Sequence, residues 1–161
     1  MNSSLFEILF ENMTSGAAIY EVKNDGRFGS DYIIKDFNSI SRKIENLTRA
    51  EVIGKSLFDI RPTIDEYGLI EIFRKVWKTG KPAKFPSKQY VDENYSNWYE
   101  NQVFKLPTGE IVAMYNDITE QELSNLEIKE KNELLTTLVE NAPYGVFIVD
   151  QNAVYKQVNK E

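Results

Sequence analysis

Near the start of the chain, apolar residues recur at helical spacing. Leu5, Ile8, Leu9 and Phe10 are followed by Met13. Ser4 and Glu7, three apart, have the form of a capping box, in which each side chain serves a free backbone N–H. Gly16 is expected to end this helix. The period then shortens to that of strands at residues 17–23 and 31–37, with a loop between them rich in Asn, Asp and Gly. Residues 38–62 are mixed and predict short helical pieces. A longer helix is expected over residues 66–79, where Ile70, Phe73, Val76 and Trp77 share a face. Thr63 and Glu66 would box its start, and Gly80 and Pro82 would end it. Three more strands follow, at 84–91, 96–106 and 110–118, separated by hairpin-sized breaks. Two strands, a helical insert and a three-strand meander predict an α+β fold with an antiparallel sheet. Both alternations of the strands carry apolar residues, so both sheet faces should be covered, one of them by the first helix.

From Thr119 to Glu140 the pattern is helical and acidic, with a third capping box, Thr119 and Glu122, at its start. Leu123, Leu126, Leu134 and Leu138 are spaced closer to an eleven-residue repeat than to a strict heptad. Two roles stay open for this helix: a solvated helix with one face on the domain, or the seam of a parallel dimer. The chain then repeats itself. Leu9, Glu11, Asn12, Gly16 and Ile19 recur 129 residues later as Leu138, Glu140, Asn141, Gly145 and Ile148, and Phe37 and Asn38 are answered by Val158 and Asn159. A second domain of the same kind is therefore expected to begin near Leu138. Two strands alone cannot close its sheet, so the chain reads as part of a longer tandem-domain protein.

Composition narrows the chemistry. Among 161 residues there is no cysteine and no histidine. Thiolate, disulfide and Ser–His–Asp chemistry are thereby excluded, as are the commonest zinc and haem ligands. The net charge of −6 argues against nucleic acid. Residues 119–140 hold −4 of it, with six glutamates against two lysines. No run is apolar and long enough to span a bilayer, and no signal peptide precedes the first helix. The expected location is cytoplasmic, without direct membrane contact. Gly26 and Gly29 lack the third glycine and the following helix of a dinucleotide loop and read as a hairpin turn.

Four stretches in order carry a family resemblance. They are Glu11 and Asn12 with Gly16 and Ile19; Asn38 after the second strand; residues 48–59, containing Glu51, Val52, Gly54, Lys55 and Ser56; and Trp98, Tyr99 and Glu100 leading through Pro107 and Gly109 to Asp117, Ile118 and Thr119. In these the chain resembles the PAS domain family. The resemblance implies a five-stranded antiparallel sheet in spatial order 2-1-5-4-3 with helices on one face. It divides the chain into an N-terminal cap helix (1–15), a PAS domain (16–118), a connecting signalling helix (119–140) and the truncated start of a second PAS domain (141–161).

The same resemblance implies a function, partners and site residues. PAS domains are sensing and dimerisation modules, often placed before a histidine kinase, so a sensor kinase or other output domain is expected in the full-length protein. A homodimer is expected through the N-terminal and connecting helices. Matching Asn38 and Asp117 to the family pattern places Ala18, Tyr20, Tyr99, Asn101, Val103, Ala113 and Tyr115 toward a ligand pocket. Trp98, Phe104, Val112 and Met114 then face the other side. Haem and covalent flavin are disfavoured, because the family supplies them a histidine or a cysteine. A non-covalent small molecule, or no ligand, remains. Asp117 and Thr119 are the expected coupling residues between the last strand and the helix. The leading reading is a sensory relay module without enzyme activity of its own, and the alternative is a ligand-free dimerisation scaffold.

Overall fold

A computed structural model describes residues 3–149, 151 and 155–158 of the chain. It falls into two units, Met1–Thr119 and Glu120–Glu161. In the first, α1 (Ser3–Glu11) leads to β1 (Gly16–Val22) and β2 (Tyr32–Phe37). Five short helices follow: α2 (Ser39–Glu45), α3 (Arg49–Val52), α4 (Leu57–Ile60), α5 (Ile64–Tyr67) and α6 (Leu69–Thr79). The meander β3 (Ala83–Val91), β4 (Ser96–Lys105) and β5 (Ile111–Asp117) completes the sheet. Its order is β2-β1-β5-β4-β3, antiparallel throughout. The expected α+β class and strand order are those the chain adopts.

Short-range chemistry sets the joints. The β1–β2 loop is closed by Asp31, whose carboxylate accepts from Asn24 Nδ2 and the Arg27 and Phe28 N–H groups. Ser56 and Asp59 cap α4 reciprocally: Ser56 N–H donates to Asp59 and Asp59 N–H to Ser56 Oγ. Asn38, fully buried, ties three elements together. Its Oδ1 accepts from Ala17 and Ser41 N–H at 3.0 and 2.9 Å, and its Nδ2 donates to the Phe10 and Ser15 carbonyls.

Three expected boundaries differ. The helix foreseen over 66–79 is two, because Gly68 takes φ +93° between α5 and α6. Thr63 makes no capping box with Glu66, and its hydroxyl donates to the Val91 carbonyl instead. The first helix stops at Glu11 rather than running to Gly16, which opens β1, and Ser3 already lies inside it, so Ser4 is not its cap.

The sheet is packed on both faces. On one, Tyr20, Ile34, Val103 and Ile111 meet Val52, Leu69, Phe73 and Val76 from the helices. On the other, Phe10 of α1 packs with Ala17, Ile19 and Val112, flanked by Phe104 and Met114. Trp98, expected on this second face, is half-buried outside that cluster.

The second unit contains most of α7 (Thr119–Glu140) and an antiparallel hairpin of β6 (Phe147–Val149) and β7 (Tyr155–Val158). α7 buries none of its residues; Leu123, Leu126, Leu134 and Leu138 are all exposed. The sequence repeat is also a repeat of geometry. α1 ends at Glu11 and α7 at Glu140, 129 residues on. Asn12 Nδ2 donates to the Ile8 carbonyl at 2.8 Å, and Asn141 Nδ2 does the same to Thr137 at 2.8 Å. Ala18 faces Phe37 and Ile19 faces Asp36, then a bulge shifts Tyr20 to Ile34. Phe147 faces Val158 and Ile148 faces Gln157, then a bulge shifts Val149 to Tyr155. Asn159, the counterpart of Asn38, lies outside the described residues, as do several residues of the second hairpin's loop.

Candidate functional site: a tyrosine-lined cavity around a buried ion pair

Strand alternation brings Tyr99 and Asn101 of β4, Ala113 and Tyr115 of β5 and Tyr20 of β1 to the inner face of the sheet. Together with α2 and the α4–α6 segment they line a partly open cavity of about 50 Å³. Five of the seven residues expected at a pocket thus line one wall. Ala18 and Val103 are buried in the same core but lie off the cavity surface.

The polar centre was not foreseen. Glu45, at the end of α2, and Arg61, just after α4, are 5% exposed each, and Arg61 Nη2 lies 2.7 Å from Glu45 Oε2. The same nitrogen donates to the Tyr99 hydroxyl at 2.9 Å, and the Tyr115 hydroxyl donates to Glu45 Oε1 at 3.2 Å. The guanidinium carbon stands 3.7 Å from the Tyr95 ring centroid and 4.6 Å from that of Tyr90. Such stacking suits a weakly hydrated, planar cation. The one sequence signal for this centre is Arg61 itself, a charge set among Leu57, Ile60 and Ile64.

Burial disfavours every charge here, and the partners decide the outcome. Burial pushes the Glu45 carboxyl up, against the pull of Arg61. Burial also works against the Arg61 charge, but Glu45 and the Tyr99 oxygen more than offset it and hold the guanidinium ionised. Burial raises the Tyr67, Tyr90 and Tyr99 hydroxyls to about 12, and that of Tyr115 well above its ordinary value. The tyrosines therefore stay protonated at neutral pH, as hydrogen-bond donors and acceptors.

The expected coupling residues meet at the far end of β5. Asp117 Oδ1 accepts from the Thr119 N–H at 2.9 Å and from the Thr119 hydroxyl, and Oδ2 accepts from Asn97 Nδ2. Thr119 Oγ1 accepts from the Trp98 N–H, and Ile118 N–H donates to the Trp98 carbonyl. Thr119 is the first residue of α7, so the capping group is Asp117, two residues earlier, and not Thr119 with Glu122.

On the outer face, Phe6, Leu9, Phe10, Met13 and Met114 line an open groove of about 520 Å³. Among the described residues, no helix is long and apolar enough to cross a membrane, and no three acidic side chains are grouped to hold a metal ion.

No model of a known protein family matches the chain, and no curated protein does. Solved structures do. A domain of a sensory box sensor histidine kinase/response regulator from Geobacter sulfurreducens is 20% identical, with 71% of this chain and 93% of that one covered at a TM-score of 0.53. The PAS domain of a protein from Colwellia psychrerythraea is 13% identical over 73% and 97% of the two chains, with a TM-score of 0.54. An RNA-binding light-oxygen-voltage receptor is 11% identical at a TM-score of 0.60; 84% of this chain matches 38% of that longer one. The fold of this chain is PAS-like.

Proposed function

We propose that the chain is a sensory PAS module that relays a small-molecule signal, bound without covalent attachment, through α7 to a following domain. One observation carries the reading: β5 belongs to both ends of the path. Its inward residues Ala113 and Tyr115 line the cavity, with Tyr115 bonded to Glu45. Its last residue, Asp117, caps α7. A ligand that binds two settings of β5 unequally would thereby bias two settings of the helix start. The repeated helix end, Asn cap and bulged hairpin support a second PAS-like unit opening at the end of α7. The following domain receiving the signal is then of the same kind, and an output such as a kinase lies outside these residues. Homodimerisation fits the exposed Leu5, Phe6, Ile8 and Leu9 of α1 beside the outer groove. The role is binding and relay, without catalysis, in the cytoplasm.

The test is Asp117→Ala in the full-length protein, reading output with and without stimulus beside thermal unfolding of the domain. The substitution leaves the sheet and its core untouched, so a folded domain with an altered response is expected. A normal response in a normally folded variant overturns the relay role of this junction. The small cavity gives weight to the ligand-free scaffold as the rival. It predicts an unchanged melting temperature across metabolite libraries.

A further inference from the structure

Three residues of the cavity wall carry a buried polar atom without a hydrogen-bond partner, and one of these atoms, Glu45 Oε2, is held at 2.7 Å by Arg61 in the ion pair; the other two are donors. Arg61 Nη1 and Asn101 Nδ2 are buried and meet no acceptor with hydrogen-bond geometry. Both residues are more than nine-tenths buried, and both line the cavity. Asn101 lies beside the Tyr67 hydroxyl, which gives its proton to the Lys88 carbonyl, but its Nδ2 does not reach that oxygen with hydrogen-bond geometry. Other polar groups of the wall are paired with one another. Tyr99 accepts from Arg61, Tyr115 donates to Glu45, and the ion pair satisfies its own charges. A buried donor without an acceptor is costly, so these two set a demand on whatever fills the space.

Charge decides which acceptor. Arg61 is already neutralised by Glu45 at 2.7 Å. Asp92, close enough to feel Arg61, adds a second carboxylate. Against the rise that burial causes, it is held ionised by the Asn94 N–H, the Tyr90 hydroxyl and the Tyr95 N–H. An anionic ligand would therefore enter surroundings with two carboxylates against one guanidinium, with no free cation to receive it. Apolar surface from Ile34, Leu57, Ile64 and Phe73 lines the rest of the cavity.

Resting on the sensory reading above, we infer that the cavity takes a small uncharged carbonyl compound, its oxygen received by Arg61 Nη1 and Asn101 Nδ2 and its alkyl part by the apolar wall. A cavity of about 50 Å³ holds one or two waters, or a ligand of roughly three or four non-hydrogen atoms. Such ligands bind at best in the tens of micromolar to millimolar range.

The probes are acetamide, acetate and methylammonium, titrated into the whole chain at pH 7. Side-chain 15N–1H resonances of Asn101 and Arg61 report binding, and the melting temperature supports it. Acetamide is expected to shift both resonances saturably, and acetate and methylammonium are not. Two variants locate the site. Arg61→Lys keeps a cation opposite Glu45 but removes the second NH2, and Asn101→Leu removes the amide. Each should weaken acetamide at least fivefold while still unfolding cooperatively. If acetate binds without proton uptake, or methylammonium binds, the assigned ligand class is wrong. If none of the three saturates, water alone occupies the space and the inference falls. Neither result touches the relay role, which fails only on the response of Asp117→Ala.

Discussion

Replacing Arg61 by Met would strand Glu45 in a site where its carboxylate is 5% exposed and has lost its only cation. The carboxylate escapes by taking up a proton. Against an ordinary carboxyl value of 4.5, holding that proton at pH 7 costs at most about 3.4 kcal/mol, at about 1.36 kcal/mol per pH unit. The sign follows from proton counts. Native Glu45 holds a proton that the unfolded chain has released, so stability falls as pH rises above 4.5 and until the raised native value is passed. The deficit relative to wild type should therefore shrink from about 3 kcal/mol at pH 7 to under about 1 kcal/mol at pH 5. Wild type shares part of this slope, since burial raises Glu45 there too, which makes these figures ceilings. Loss of the stacking on Tyr95 and Tyr90 adds a pH-independent part of roughly 1 kcal/mol. Urea unfolding at pH 5, 6 and 7 measures both parts. The double variant Arg61→Met, Glu45→Gln should lose the pH dependence and recover much of the stability, because a neutral polar group is cheaper to bury than an unpaired charge. A deficit in Arg61→Met that does not change with pH would refute the reasoning, as would a double variant no more stable than the single one.

Asn38→Ala removes the acceptor of two buried N–H groups and the donor to two carbonyls, and should cost about 2–4 kcal/mol in denaturant unfolding; a loss below 1 kcal/mol would deny its role as the tie between α1, β1 and α2. Gly68→Ala forces a Cβ onto a left-handed backbone and should cost about 1–2 kcal/mol, whereas the single helix expected from sequence would be stabilised by the same change. Asp117→Ala should cost the domain only about 1 kcal/mol, the ordinary loss of a helix cap, by thermal unfolding. With no histidine or cysteine to hold haem or a covalent flavin, purified protein should be colourless; a Soret band, or visible absorbance surviving denaturation, would contradict this.

Sequence alone carried what repeats at short period or recurs in order. Alternation put Tyr99 with Asn101 on one side of β4 and Ala113 with Tyr115 on one side of β5, because side chains of a strand change sides at every residue, and it was the resemblance to the PAS pattern at Asn38 and Asp117 that turned those sides toward a pocket. The likeness of residues 9–19 to 138–148 was legible because identical local chemistry folds locally in the same way, down to the Asn12 and Asn141 caps. Other features needed the third dimension. Gly68 could have been a helix interior; only the packing of α5 and α6 as separate pieces made it a joint. Thr119 carries a cap sequence, yet its hydroxyl is shared between Asp117, two residues back, and the Trp98 N–H, which is near only once β4 and β5 pair. Glu45 and Arg61 read as surface charges along the chain. One ends α2 and the other follows α4, and nothing in their spacing marks them as partners. The fold buries them together, where desolvation makes each depend on the other, and so turns two ordinary charges into the polar centre of the cavity.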